Sequence, residues 1–105
     1  MKHSIILSAL GALALTTMSF GTAMAADTAA CLITKNNTNP FFVKMKEGAT
    51  AKAKDAGIAL SSYAGKLDGD AAPQITAIEN CIAAGAKGIL ITPSNDSVAP
   101  ALKKA

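Results

Sequence analysis

Short apolar runs alternate along the chain with longer stretches in which apolar residues recur every three or four positions. The short runs are rich in β-forming side chains and too brief for helices, which predicts strands at residues 31–33, 58–63 and 87–92. The longer stretches predict helices at residues 40–56, at residues 72–84 and from residue 98 onward. This order predicts an α/β fold, in which a parallel sheet lies between helices as three α/β/α layers. Since the third strand is almost wholly apolar, we expect it to be covered on both faces.

Capping residues mark where these helices begin and end. Asn39 followed by Pro40 predicts an N-cap with proline at the first helical position, so the first helix opens directly after a polar loop. Gly57 is expected to end this helix in the left-handed conformation, and Gly85 to stop the second helix. Ser97 is the expected N-cap of the third helix.

The chain has two cysteines, Cys31 on the first predicted strand and Cys81 on the second predicted helix. In a sheet ordered 2-1-3, the second helix crosses over the first strand and can bring the two residues together. Either they form a disulfide, as an oxidising compartment allows, or they are two buried thiols that pack as small apolar residues.

Residues 1–25 have the pattern of a secretory signal peptide. A basic start at residues 1–3 precedes an apolar stretch at residues 5–20, and Ala-Met-Ala at residues 23–25 supplies a cleavage site. The apolar stretch is shorter than the ~20 residues that a membrane-spanning helix needs. We therefore expect the protein to be exported, with a mature chain of residues 26–105.

Without the leader, the chain has no histidine, arginine or tryptophan, and it has nine lysines and seven acidic residues. The lysines of the first helix fall between its apolar positions, as on a solvated face. Proteins that bind nucleic acid usually carry an arginine-bearing basic stripe with aromatic residues, so we expect no nucleic-acid partner.

Residues 26–105 lack the sequence patterns of the common catalytic sites. No histidine is present there to act as the base in nucleophilic catalysis. No motif indicates the pair of carboxylates that a glycosidase needs, and the glycine-rich loops that bind phosphate are missing. The loop with Asp68 and Asp70 lacks the ligand spacing and the closing glutamate of an EF-hand. We predict that the protein is not an enzyme and uses no metal or cofactor.

The polar loop between the first strand and the first helix is the expected binding site. A helix N-terminus there faces the carboxyl ends of the strands, where ligands bind in open α/β sheets. Phe41 and Phe42 lie about 100° apart around the first turn, so at most one can pack fully under the helix. An aromatic face beside the amide of Asn39 suits the C–H face and the hydroxyls of a sugar.

The same residues have a plainer interpretation, in which one phenylalanine belongs to the core and Asn39 only caps the helix. Weaker ligand-binding candidates are Lys35 and Asn36 in the loop. Asn95 lies at the same end of the sheet, where a capping role is favoured over ligand contact.

The motif Asn-Pro-Phe-Phe at residues 39–42, followed by Gly-Ala-Lys-Gly-Ile-Leu-Ile-Thr-Pro at residues 85–93, resembles the N-terminal part of type I periplasmic binding proteins for pentoses and hexoses. The likeness is greatest to the ribose-type and fructose-type binding proteins of bacterial ABC importers, and it extends over essentially the whole chain after the leader. Positions 39, 41 and 42 match sugar contacts of that family. Lys35 stands where ribose-type proteins have a small uncharged residue.

The resemblance implies a monomeric periplasmic solute-binding subunit of an ABC importer. It would bind a monosaccharide such as fructose or ribose in a cleft between two α/β lobes and deliver it to a permease at the inner membrane. Residues 26–105 match only the first three βα units of the N-terminal lobe. We therefore expect a truncated form of a longer protein, without the acidic sugar contact that the next strand supplies in the family.

Two other functions fit the same fold. A periplasmic sensor that passes a sugar or an autoinducer to a chemoreceptor or kinase would have the same sequence features, and only a neighbouring permease and ATPase gene pair would separate the two. The ligand-sensing domain of a lac-repressor-like regulator is disfavoured by the leader, because such regulators stay cytoplasmic and begin with a helix-turn-helix.

Overall fold

The computed structural model describes residues 28–105, so the leader predicted at residues 1–25 lies outside the described part. The elements follow in the order β1 (Ala29–Thr34), α1 (Pro40–Ala56), β2 (Ala59–Ala64), α2 (Ala72–Ala83), β3 (Gly88–Ile91), a 3-10 turn (Asp96–Val98) and α3 (Ala99–Leu102). None of the helices within residues 28–105 combines the length and the apolar character that crossing a bilayer requires.

The three strands form one parallel sheet in the order β2-β1-β3. In this register Cys31 of β1 lies between Ser61 of β2 and Ile89 of β3. The predicted α/β fold, with a parallel sheet and helices on both faces, is confirmed for these three βα units.

Side chains of the central strand alternate between two differently covered faces. Cys31 and Ile33 belong to the main core, which the sheet forms with α2 and α3. Leu32 and Thr34 point to the opposite face, where they line a cavity together with Phe42 of α1. All four of these β1 side chains are buried, which fits the central position of the strand.

A disulfide between Cys31 and Cys81 joins β1 to α2 inside the main core. The Cα atoms are 6.3 Å apart, within the usual range for a bridge. Both residues are almost completely buried, as are the neighbouring Ile33 and Ile78. The strand order 2-1-3 places α2 over β1, so of the two alternatives for the cysteines the structure contains the bridge.

The expectation that β3 is covered on both faces is wrong for the described residues. Ile89 and Ile91 pack against the main core, whereas Leu90 points to the other face and is 59% exposed. The reason is the position of α1, which contacts β1 and β2 and does not extend over β3.

Three of the predicted helix boundaries are confirmed, and one is wrong. Asn39 caps α1, Gly57 ends it with φ 69°, and Gly85 follows α2 with φ 74°. Ser97 does not cap the third helix. Instead Asn95 caps the 3-10 turn by accepting from the Ser97 N–H, and this turn leads directly into α3.

Candidate functional site

The carboxyl ends of the three parallel strands bring three loops to one edge of the sheet, which we call the carboxyl edge. These loops are residues 35–39 after β1, residues 65–71 after β2 and residues 92–95 after β3. Helix α1, of 17 residues, begins at the same edge. Its first backbone N–H groups and the partial positive charge of its N-terminus therefore face this space.

Asn36 holds the first loop in shape from within. Its side chain is buried, and its Nδ2 donates to Oδ1 of Asp68 at 2.7 Å, which ties the first loop to the second. Its Oδ1 accepts the backbone N–H groups of Asn39 at 2.8 Å and of Thr38 at 3.2 Å. Both ends of the Asn36 amide thus bond to the protein itself, and its role in the described residues is to shape the loop.

Asn39 occupies the N-cap position of α1. Its Oδ1 accepts from the Phe41 N–H at 3.0 Å, and its carbonyl oxygen accepts from Phe42 N at 3.0 Å and Val43 N at 3.1 Å. Pro40 at the first helical position has no N–H to satisfy. The cap uses the side-chain oxygen, whereas Nδ2 makes no hydrogen bond within residues 28–105. Capping therefore leaves this amide a donor that can reach a ligand.

The two phenylalanines divide between surface and interior, as the geometry of a helix requires. Phe42 is 8% exposed and lies under α1, whereas Phe41 is 62% exposed at the start of the helix. Their ring centroids are 5.2 Å apart in an edge-to-face arrangement. Such a contact stabilises aromatic pairs, so the buried ring of Phe42 supports the exposed ring of Phe41.

A cavity of about 330 Å³ lies between α1 and the β1–β2 part of the sheet. Its wall includes the apolar side chains of Phe42 and Leu32, and its polar lining includes Asn36, Ser62 and Lys46. Its volume is at the lower end of the range for ligand pockets, ~300–1,000 Å³. Neither Phe41 nor Asn39 lines it, so the exposed pair at the start of α1 faces a different space.

Gln74 is a fully buried polar side chain at the start of α2. Its Nε2 donates to the carbonyl oxygens of Thr34 at 3.1 Å and Thr92 at 2.9 Å, and its Oε1 accepts from the Ser94 N–H at 2.8 Å. Sequence reasoning did not single out this residue. A signal was present, because Gln74 stands four positions before Ile78 on the apolar stripe of α2, where a polar side chain needs partners.

Two weaker candidates for ligand binding, Asn95 and Lys35, also lie at the carboxyl edge but differ in their surroundings. Asn95 uses both ends of its amide within the protein, since Nδ2 donates to the Gly69 carbonyl at 2.8 Å and Oδ1 accepts from Ser97. The capping role expected for Asn95 is thus present. Lys35 is half-buried at the point where the first loop leaves β1.

Charges near the start of α1 are mostly cationic and exposed. Lys44 forms an ion pair with Glu47 at 2.8 Å on the helix surface, and this hydrogen bond, with the attraction between the charges, raises the pKa of Lys44. Because the pair is solvated, it contributes little to folding stability. Among residues 28–105, no group of three or more His, Cys, Asp or Glu side chains is arranged to hold a metal ion.

The structure therefore separates the predicted site residues into two sets. Asn39 and Phe41 lie together at the exposed start of α1, with Phe42 directly behind them. Asn36 and Asn95 are used in holding the loops. The resulting surface combines an aromatic face, an amide donor and a helix N-terminus, which suits an uncharged polar ligand with an apolar face.

Comparison with known protein families gives one clear match. A family model described as a periplasmic binding protein domain matches residues 29–105. No curated protein sequence matches the chain.

Several solved structures are similar to this chain, and three of them are bacterial sugar or solute transport proteins. An ABC transporter solute-binding protein from Burkholderia multivorans, with an unknown ligand represented as α-D-erythrofuranose, is 28% identical over 73% of this chain, with a TM-score of 0.69. A periplasmic solute-binding protein from Actinobacillus succinogenes with bound D-allose is 28% identical over 74% of this chain, with a TM-score of 0.69. A periplasmic ribose ABC transporter protein from Conexibacter woesei is 26% identical over 76%, with a TM-score of 0.67. The chain covers only 28%, 28% and 26% of the lengths of these three proteins.

Proposed function

The chain belongs to the periplasmic binding protein domain family, and on that premise we propose that it carries the sugar-capturing edge of a solute-binding protein for an ABC importer. The observation that carries the proposal is that the start of α1 presents both the exposed ring of Phe41 and the Nδ2 of Asn39, a donor that makes no hydrogen bond within residues 28–105. An aromatic ring offers a flat apolar surface to the C–H face of a monosaccharide, and an amide donor fixes the position of a hydroxyl.

The neighbouring groups support binding of a neutral sugar. The N-terminus of α1 contributes partial positive charge, which favours the lone pairs of hydroxyl oxygens. No ionisable side chain contacts Phe41 or Asn39 in the hydrogen-bond network of residues 28–105. One of the similar structures is described with bound D-allose, and another is described as a periplasmic ribose ABC transporter. Both descriptions favour a monosaccharide over other solutes.

We propose that the opposite wall of the site comes from a second lobe of the kind that the longer related proteins contain. The carboxyl edge of residues 28–105 is open, and it would form one side of a cleft that closes over the sugar. The leader predicted at residues 1–25 would direct the protein to the periplasm, where as a monomer it would deliver sugar to a permease of the inner membrane. Fructose is the first sugar to test, because the first strand and the loop after it resemble those of fructose-type binding proteins.

The first test is calorimetric titration with fructose, ribose and allose. The protein is expressed from its natural gene and purified before the titration. Phe41→Ala should weaken binding by about tenfold or more, equal to ~1.4 kcal/mol, because the stacking surface is lost. Its free energy of unfolding should fall by no more than ~1 kcal/mol, because the ring is exposed and loses mainly its edge-to-face contact with Phe42.

Phe42→Ala is the matched control for that variant. Its ring is buried, so its removal should lower the free energy of unfolding by ~3 kcal/mol or more. If the unmodified protein binds none of the three sugars, the proposal that its ligand is a monosaccharide is contradicted. Sugar affinity of Phe41→Ala equal to that of the unmodified protein would exclude Phe41 as the sugar-stacking surface.

A further inference from the structure

Gln74 joins the ends of β1 and β3 at the carboxyl edge through one side chain. Its three hydrogen bonds, of 2.8 to 3.1 Å, go to backbone groups of Thr34, Thr92 and Ser94. Thr34 is the last residue of β1, and Thr92 follows the last residue of β3. The Thr92 carbonyl and the Ser94 N–H lie beyond the regular pairing of the strands, so a side chain supplies their partners, and the Thr34 carbonyl accepts from Gln74 in addition to the Gly65 N–H.

The chemistry of these backbone groups suits a glutamine in particular. Two carbonyl oxygens need donors and one N–H needs an acceptor, and a primary amide provides two donors and an acceptor in one plane. A glutamate of the same length would accept from Ser94 N but, when ionised, would offer no donor to the carbonyls of Thr34 and Thr92. A leucine would fill the space but would remove the side-chain partner of the Thr92 carbonyl and the Ser94 N–H, and the Thr34 carbonyl would keep only the Gly65 N–H.

Two further amides extend this connection to the second loop. Asn36 joins the first loop to Asp68 of the second, and Asn95 joins the third loop to Gly69 of the second. The Gly65 N–H also donates to the Thr34 carbonyl at 3.0 Å, the same oxygen that Gln74 contacts. The three loops of the carboxyl edge are therefore linked to one another, and Gln74 is the fully buried member of the network.

We propose that Gln74 is a positioning residue for sugar binding. It does not contact the ligand, because it is fully buried. It fixes the loop of residues 35–39, and with it Asn39 and Phe41, relative to the loop of residues 92–95. This inference depends on the sugar-binding function proposed above. A bound sugar needs its stacking surface and its hydrogen-bond donors at fixed separations, so looser loops lower affinity even when the fold persists.

The test compares Gln74→Leu with Ile78→Val in the protein expressed from its native reading frame. Gln74→Leu removes the three hydrogen bonds while keeping a side chain of similar size in the same place. Ile78→Val removes one methylene group from the same helix and the same core and makes no bond to the loops. Sugar affinity, thermal stability and amide hydrogen exchange are measured for both.

Gln74→Leu should bind sugar about tenfold more weakly, equal to ~1.4 kcal/mol, and its Ser94 amide should exchange much faster than in the unmodified protein. Ile78→Val should lose thermal stability with no change in sugar affinity. If Gln74→Leu keeps the affinity of Ile78→Val at a temperature where both are folded, Gln74 serves folding alone and the proposal is overturned.

A second measurement needs no variant and covers the case in which Gln74→Leu does not fold. In the unmodified protein, the side-chain amide protons of Gln74 should exchange slowly and should shift when sugar is added, as observed by ¹⁵N NMR. Exchange as fast as that of an exposed glutamine, or no shift on saturation with sugar, would overturn the positioning role. If no sugar binds but the Gln74 amide is protected, the proposed function fails while the structural connection stands.

Discussion

At the scale of single residues, the carboxyl edge is shaped by amide side chains that bond to backbone groups. Gln74 and Asn95 use both the nitrogen and the oxygen of their amides in this way, whereas Asn36 accepts backbone N–H groups through Oδ1 and donates to the Asp68 carboxylate through Nδ2. Asn39 differs, because its oxygen caps α1 and its nitrogen makes no bond within residues 28–105. This difference makes Asn39, of the four amides, the one that can cap a helix and still contact a ligand.

Substitutions of Asn39 separate its capping role from its proposed ligand contact. Asn39→Asp keeps the oxygen that accepts from Phe41 N and adds a charge that suits a helix N-terminus, so folding stability should be unchanged or slightly higher. It removes the amide donor, so sugar affinity should fall.

Asn39→Ala removes both groups and should lower the free energy of unfolding by ~1 kcal/mol, as well as weakening sugar binding. Denaturant unfolding and calorimetric titration of the two variants provide the comparison. If Asn39→Asp binds sugar as well as the unmodified protein does, Asn39 acts only as a helix cap.

Gly65, at the end of β2, is required by close packing and not by its backbone conformation. Its φ is not positive, but a Cβ placed on it would lie 2.5 Å from the carbonyl oxygen of Lys35. Gly65→Ala should therefore force the first loop away from β2 and destabilise the fold by ~1–3 kcal/mol. Sugar affinity should fall with it, since the loop that leads to Asn39 is displaced.

Gly48→Ala is the control for a glycine without such a contact. No atom lies within 4 Å of a Cβ placed there, and the residue is inside α1, so alanine should stabilise the protein by ~0.5–1 kcal/mol. Thermal unfolding of both variants tests the pair. If Gly65→Ala and Gly48→Ala unfold at the same temperature, the close approach of Gly65 to the Lys35 carbonyl does not restrict the residue at position 65 in solution.

At the scale of elements, the two faces of the sheet are stabilised differently. Helix α2 packs on β1 and β2, contacts α3, and is bonded covalently to β1 through Cys31 and Cys81. Helix α1 has two buried side chains, Phe42 and Ala53, and a cavity separates part of it from the sheet. The α2 face is therefore the more tightly fixed, and it is the face from which Gln74 reaches the carboxyl edge.

Removal of the disulfide should measure how much that covalent link contributes. The bridge closes a loop with a sequence separation of 50 residues. Such a loop corresponds to ~4 kcal/mol in the chain-entropy description. A variant with both Cys31→Ala and Cys81→Ala should unfold at correspondingly lower urea concentration, and a reductant should have no further effect on it.

The unmodified protein provides the internal check on the bridge. Its two sulfur atoms are bonded to each other, so thiol reagents should label neither without reductant, even after unfolding in urea. Two labelled thiols in unreduced, unfolded protein would show that the bridge does not form.

At the scale of the whole molecule, residues 28–105 form a small sheet with one well-covered face and one partly covered face. On the partly covered face, Leu32 of β1 is 3% exposed, and its neighbour in register, Leu90 of β3, is 59% exposed. The related solved structures are longer than this chain, which covers 26% to 28% of their lengths. Within residues 28–105, Leu90 is the apolar side chain of β3 that stays largely uncovered on this face.

The sequence alone determined the α/β fold, the boundaries of α1 and the fact that Phe41 and Phe42 cannot both be buried. Each of these follows from a local rule: strand and helix have different periods, proline and glycine restrict helix ends, and adjacent helical residues cannot share one buried face. The family resemblance carried by residues 39–42 and 85–93 agrees with the family match over residues 29–105.

Only the tertiary structure decided which polar residues are available to a ligand. Three asparagines in similar loops have different roles because their neighbours in space differ. Asn36 lies beside Asp68, Asn95 lies beside Gly69, and Asn39 lies at the start of α1. Gln74, the disulfide and the exposure of Leu90 likewise depend on the strand order and on which helix covers which face. Sequence periodicity places a side chain on a face, whereas the atoms that meet it there are set by segments distant along the chain.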